Sequence, residues 1–194
     1  MKSYFANYII LILLVISCGD QKKEITHYGF PKDKNESLSV SLRLPEFKNY
    51  GEFIDRISEI TCNDSIPKIV IEQKNITRNI YPIEYCEPFI FDPPGKHYVT
   101  IRNGKPFEWQ TINEIFPDSL SHKLINDFSN YQNSNESGSP SNYFVILESG
   151  REEKTRGFEK FISDLTQEYD RLGTDLELNF AFWESIKYLP SPAN

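Results

Sequence analysis

Apolar and polar positions alternate along the chain with two different periods. Leu38, Val40, Leu42 and Leu44 trade places with Ser39, Ser41 and Arg43, the period of two that half-buries a strand, and Pro45 ends it. Tyr50, Phe53, Ile54, Ile57 and Ile60 then recur at helical spacing with Glu52, Asp55, Arg56 and Glu59 between them, which predicts an amphipathic helix. The apolar run Ile69-Val70-Ile71, flanked by Lys68 and Glu72, reads as a buried strand. Residues 38–73 therefore predict a βαβ unit with parallel strands. From Lys74 to Lys96 the periodicity decays under Pro82, Pro88, Pro93 and Pro94. Asp92-Pro93-Pro94-Gly95 reads as a turn, and a domain boundary is expected near residue 95.

The second half opens on the strongest local signal. Tyr98-Val99-Thr100-Ile101-Arg102, then Asn103-Gly104, then Lys105-Pro106-Phe107-Glu108-Trp109 predicts a β-hairpin, because Asn-Gly tolerates the two positive φ angles of a type I′ turn. Pro106 places the second strand at a sheet edge. Pro117-Asp118-Ser119 starts a helix whose apolar face is Leu120, Leu124, Phe128 and Tyr131. After the polar stretch 132–142, Tyr143 to Leu147 predicts a buried strand. Phe158, Phe161, Ile162, Leu165, Tyr169 and Leu172 predict a long amphipathic helix capped by Gly173. A final strand runs from Leu176 to Phe182, with Leu176, Leu178 and Phe180 inward. The expected fold class is α+β: small mixed sheets packed on amphipathic helices, with the order β-β-α-β-α-β in the C-terminal half.

The N-terminus changes where this body is expected to work. Tyr8 to Ile16 carries no charge and is far shorter than the 20 or so apolar residues of a membrane-spanning helix, as in the core of an export signal. It ends at Val15-Ile16-Ser17-Cys18, which resembles a bacterial lipobox, with polar residues directly after it. The expected organisation is a signal peptide over 1–17, a flexible tether over 18–37, a small βαβ-containing subdomain over 38–95 and an α+β domain over 96–194. Lipidation at Cys18 would hold the protein on a membrane as a lipoprotein without a basic patch. Gly19 after that Cys, rather than Asp, makes the outer membrane of the cell envelope the expected site.

Composition narrows the chemistry. The 28 acidic against 21 basic residues give a net charge of -7, with no basic stripe to meet phosphates, so nucleic acid is not an expected partner. Setting Cys18 aside leaves Cys62 and Cys86, whose pairing is the natural expectation in an oxidising compartment, with two free thiols as the alternative. His27, His97 and His122 are isolated from one another and from the Cys residues in sequence, so no metal or cofactor is expected. GxSxG, P-loop, GxGxxG and HExxH patterns are absent from the sequence. No residue is assigned a catalytic role. Trp109, with Tyr98 or Phe107, is the candidate binding surface for sugar or peptide, the competing reading being sheet packing.

Three segments, taken in order, carry a resemblance. Tyr98-Val99-Thr100-Ile101-Arg102-Asn103-Gly104-Lys105, Tyr143 to Ser149 and the helix Phe158 to Leu172 resemble the periplasmic domain of the ExbD/TolR family across residues 97–182. The resemblance implies a non-catalytic envelope domain that contacts partner proteins or the cell wall, its peptidoglycan included, often as a homodimer. Members of that family cross the inner membrane on a full-length helix bearing an acidic residue. Tyr8 to Ile16 is too short and has no Asp or Glu, so the proton-driven role is not carried over and no functional residue of the family maps here. The expected function is a non-catalytic, lipid-anchored envelope protein acting by protein or cell-wall contacts, as an accessory to an envelope transport or energy-transduction system. The alternative is an envelope hydrolase acting on glycan or peptide, with paired carboxylates such as Glu152-Glu153 or Glu84 and Glu87.

Overall fold

The computed structural model describes residues 23–29, 36–73, 75–84, 86, 96–116, 119–120, 122–127 and 142–185. Cys18, the signal sequence and the polar stretch 132–141 lie outside the described residues. The architecture is α+β, with helices packed on two mixed four-stranded sheets. The strands are β1 (Glu24–Gly29), β2 (Ser39–Leu42), β3 (Ile66–Gln73), β4 (Ile76–Tyr81), β5 (Lys96–Arg102), β6 (Lys105–Glu108), β7 (Asn142–Ser149) and β8 (Glu177–Glu184). Helix α1 (Tyr50–Cys62) links β2 to β3, helix α2 (Arg156–Leu172) links β7 to β8, and a short helical stretch includes residues 122–127. The sheet orders are β1-β4-β3-β2 and β6-β5-β7-β8.

The predicted βαβ unit forms with parallel strands, β2 beside β3, and the strand-helix-strand run at the C-terminus likewise sets β7 parallel to β8. Helix α1 begins where Asn49 accepts the backbone N–H of Glu52 at 2.9 Å, while the Glu52 carboxylate reaches back to the Lys48 N–H at 3.0 Å. This exchange satisfies backbone donors that a helix start otherwise leaves open. Tyr50, Phe53, Ile57 and Ile60 are buried, as the spacing requires. Helix α2 buries Phe158, Phe161, Ile162 and Leu165 and closes on Gly173 in the left-handed conformation.

Two strands depart from the sequence expectation, and they pair with each other. β1 lies inside the stretch expected to be tether, and β4 lies where the periodicity decays; they run parallel from Glu24 beside Ile76 to Gly29 beside Tyr81. Local hydrophobicity hides both. β1 buries Tyr28 and leaves Ile25 exposed, and β4 carries Arg78 and Asn79 into the interior. Arg78 is accommodated by Gln73 at 2.8 Å and by Asp170 of α2 at 3.4 Å. The Tyr28 hydroxyl donates to the same Asp170 at 2.7 Å. Burial, with the neighbouring carboxylate adding to it, pushes the Tyr28 pKa up to about 12.

The buried residues on the two sides of residue 95 form one cluster. Tyr50 stacks flat on Phe158 at 4.3 Å, and Phe53 meets Phe182 edge-on at 5.1 Å. Beyond β4, Ile83 donates its N–H to the Phe180 carbonyl at 2.8 Å and bridges Ala181 in parallel. The sheets thus meet at β8, which packs against β1 and pairs with the chain just beyond β4. For that reason β8 is buried on both faces from Leu178 to Phe182, where alternation alone predicts one. Cys62, at the end of α1, is bonded to Cys86, separated from it by 24 positions.

Candidate functional site

The site grows from the β5–β6 hairpin. Asn103 and Gly104 take φ angles of 51° and 72°, the turn that Asn-Gly predicts, and β6 is the edge strand that accepts Pro106. The tip is held from outside, because the Glu153 carboxylate accepts the N–H groups of Asn103 at 2.8 Å and Gly104 at 2.9 Å. Alternation turns Val99 and Ile101 into the core and leaves Tyr98, Thr100 and Arg102 on the opposite face. Register then decides which residues join them there. Thr100 lies beside Glu148 and Phe107, and Glu148 lies beside Trp183.

These side chains line a cleft of about 710 Å³ that includes Tyr98, Arg102, Trp109, Ile112, Glu148 and Trp183. Tyr98 and Trp109 stack with centroids 4.7 Å apart and planes 24° apart, and Trp183 meets Tyr98 edge-on at 5.6 Å. The Trp109 indole N–H donates to the Glu148 carboxylate at 2.8 Å, which fixes the ring although 42 % of the residue is exposed. Fixing an exposed ring in advance lowers the entropy a ligand must supply to order it.

The far wall is the 109–116 segment. Its backbone returns to the hairpin through Glu108 N–H to the Asn113 carbonyl at 2.9 Å and Ile115 N–H to the Pro106 carbonyl at 2.8 Å. Arg102 donates to the Thr111 carbonyl and lies 4.4 Å over the Phe107 ring. Outside the cleft, Glu108 is held below the usual carboxylate range by its hydrogen bond from Lys123, with Asn113 adding to it. Ile112 at the rim is 87 % exposed.

Of the three residues expected to form a binding surface, Tyr98 and Trp109 come together in the cleft. Phe107 shares their face but lies beneath the Arg102 guanidinium. Glu148 and Trp183 are the members the sequence reading missed. Their neighbour relation depends on parallel register across three strands, which leaves no local trace. Glu153, one of the expected paired carboxylates, is occupied by the hairpin tip. Glu184 accepts from Arg151 at 3.2 Å. Among the described residues no group of three His, Cys, Asp or Glu side chains is placed to hold a metal, and no helix is long and apolar enough to cross a membrane.

Comparison with known proteins finds no match: no family model, no curated protein and no solved structure matches this chain. Function is therefore read from the site and the sequence.

Proposed function

We propose that this chain is a non-catalytic, lipid-anchored protein of the cell envelope that acts by contact, with the cleft between Tyr98, Trp109 and Trp183 as its contact surface. The observation that carries the reading is the ordered, exposed Trp109 ring, held by Glu148 and stacked on Tyr98. Large aromatic surface left open on a rigid sheet face is the kind of surface from which binding energy is obtained. The lipobox-like Val15-Ile16-Ser17-Cys18 supports the anchor. The resemblance of the C-terminal half to the ExbD/TolR periplasmic domain supports a role in contacting envelope proteins or the cell wall.

Two measurements test this reading. Intact mass and membrane fractionation, wild type against Cys18→Ala, should show an acylated chain beginning at Cys18 that the substitution releases from membranes. A photo-crosslinking residue at Ile112 should capture an envelope component in wild type and lose it in Trp109→Ala. A soluble, unacylated wild-type chain refutes the anchor, and crosslinking indifferent to Trp109 refutes the contact surface.

A further inference from the structure

We propose that the cleft is a saccharide site, a neutral pyranose ring lying on the open face of Trp109 with its hydroxyls held by the polar groups around it. The assignment rests on the cleft being the contact surface and names the chemistry that surface takes. Charge is the first discriminator. Glu148 and Glu184 line the cleft with Arg102, and Glu184 is also bonded to Arg151, which lies outside the lining and is shared with Asp55. The excess carboxylate disfavours a polyanion, while the bonds of Glu184 to Arg151 and of Glu148 to the Trp109 indole already engage the carboxylates that a cation on the rings would use.

Shape is the second discriminator. An extended peptide adds to a sheet through the backbone groups of an edge strand, whereas this cleft lies on a sheet face and offers side chains. A polyproline helix needs slots between aromatic ridges, and Tyr98 and Trp109 close that slot by stacking at 4.7 Å. What remains is a flat ring platform rimmed by hydrogen-bonding groups. A pyranose complements it, with an apolar C–H face to lie on the indole and equatorial hydroxyls around its edge.

The rim supplies both signs of hydrogen bond. Glu148 uses Oε2 for Trp109, leaving Oε1 as an acceptor. The Trp183 indole N–H and Gln110 supply donors, and Thr100 and Ser185 do either. Trp109 and Trp183, both in this cleft, are the two tryptophans of the chain. Intrinsic fluorescence therefore reports on this site without labels.

The experiment is a tryptophan-fluorescence titration of the full mature chain, cross-checked by calorimetry. The probes are the β-1,4 tetramer of N-acetylglucosamine, cellotetraose and maltotetraose, with hexaproline and pentalysine as competitors for the assignment. At least one saccharide should give a saturable emission change. Trp109→Ala, read through Trp183, should weaken it on the order of tenfold, and Trp109→Phe by roughly two- to threefold. Glu148→Gln, which keeps a hydrogen-bond acceptor for the indole, should weaken it by a few-fold. Thermal melts identify variants that fail to fold, and Trp109→Phe keeps the test open if Trp109→Ala is one of them. A response confined to hexaproline or pentalysine overturns the saccharide assignment and leaves the contact reading intact. Silence toward all probes also overturns it, and if the Ile112 crosslink captures nothing in wild type, or captures regardless of Trp109, the contact reading falls with it.

Discussion

Tyr50→Phe is the sharpest test of how the two halves of this chain are joined. The Tyr50 hydroxyl lies 3.0 Å from the Leu147 carbonyl of β7 and 3.0 Å from the Trp183 carbonyl of β8, and the residue is fully buried. One hydroxyl proton is shared between two carbonyls on adjacent strands. Burial, with the charges of Glu148 and Glu84 adding to it, holds the Tyr50 pKa well above its ordinary value, so the group is a neutral donor at physiological pH. Replacement by Phe keeps the ring on Phe158 and removes the hydroxyl alone. Losing a hydrogen bond costs about 1 kcal/mol and leaving buried carbonyls short of a donor adds to it, for a total of about 1.5–2.5 kcal/mol. For a body of this size that lowers Tm by roughly 3–10 °C. Tyr50→Ala also removes the stacked ring and should cost roughly 3–5 kcal/mol. Calorimetric melts of the purified chain at neutral pH give both values. A Tyr50→Phe melt within a degree of wild type would refute the shared hydrogen bond, and equal losses in both variants would refute the packing role of the ring.

Three further outcomes follow from the same geometry. Gly157→Ala places a Cβ 2.6 Å from the Gly104 Cα at the hairpin tip; overpacking of about 1–3 kcal/mol outweighs or cancels the roughly 1 kcal/mol gain in helix propensity, so the urea midpoint should fall or stay level, and a clear rise refutes the close approach. Opening the Cys62–Cys86 crosslink, whose ends are 24 positions apart, should cost about 3.5 kcal/mol in the chain-entropy model, read as a lower urea midpoint for the double Ser variant and an unchanged one on adding reductant to that variant. Tyr28 has a folded pKa of about 12 against 10.0 unfolded; its contribution is complete below pH 10 and is lost as pH rises toward 12, so wild type should lose stability across that window faster than Tyr28→Phe.

What could be read in advance was whatever depends on near neighbours. The hairpin was legible because Asn103-Gly104 carries its own turn geometry, and α2 because Phe158, Phe161, Ile162 and Leu165 fall on one helical face. β1 and β4 were not, because the reason Arg78 and Asn79 tolerate burial lies elsewhere in the chain. Arg78 is answered by Asp170, 92 positions away, and no window contains both. The same holds for the cleft. Tyr98 and Trp109 lie on one hairpin and were grouped from sequence. Glu148 closes an apolar run and Trp183 follows the last expected strand residue, Phe182. Only the parallel registers Thr100 to Glu148 and Glu148 to Trp183 bring them to one face.

Strand direction carries a last prediction, about where the cleft sits relative to the anchor. β1 runs parallel to β4, the chain beyond β4 bridges β8 in parallel, and β8, β7 and β5 are parallel in turn. Glu24 pairs with Ile76 at the start of this direction, whereas Thr100, Glu148 and Trp183 lie toward its end. Ile83, seven residues past Ile76, bridges Ala181, and Trp183 is two further on; nine residues at about 3.3 Å each separate the levels of Glu24 and Trp183 by roughly 30 Å. On the proposed anchor, Glu24 is the sixth residue after Cys18, and six residues reach at most about 20 Å. A lipid on Cys18 thus tethers the start of β1 close to the bilayer and places the cleft at the far end of the strands. Acylated protein on vesicles containing lipids with brominated acyl chains tests this directly, since Trp109 and Trp183 are the chain's only fluorescent indoles. Emission equal to that on unbrominated vesicles is expected. Strong quenching would put the cleft against the bilayer and refute the orientation, whereas protein that fails to float with the vesicles refutes the anchor instead.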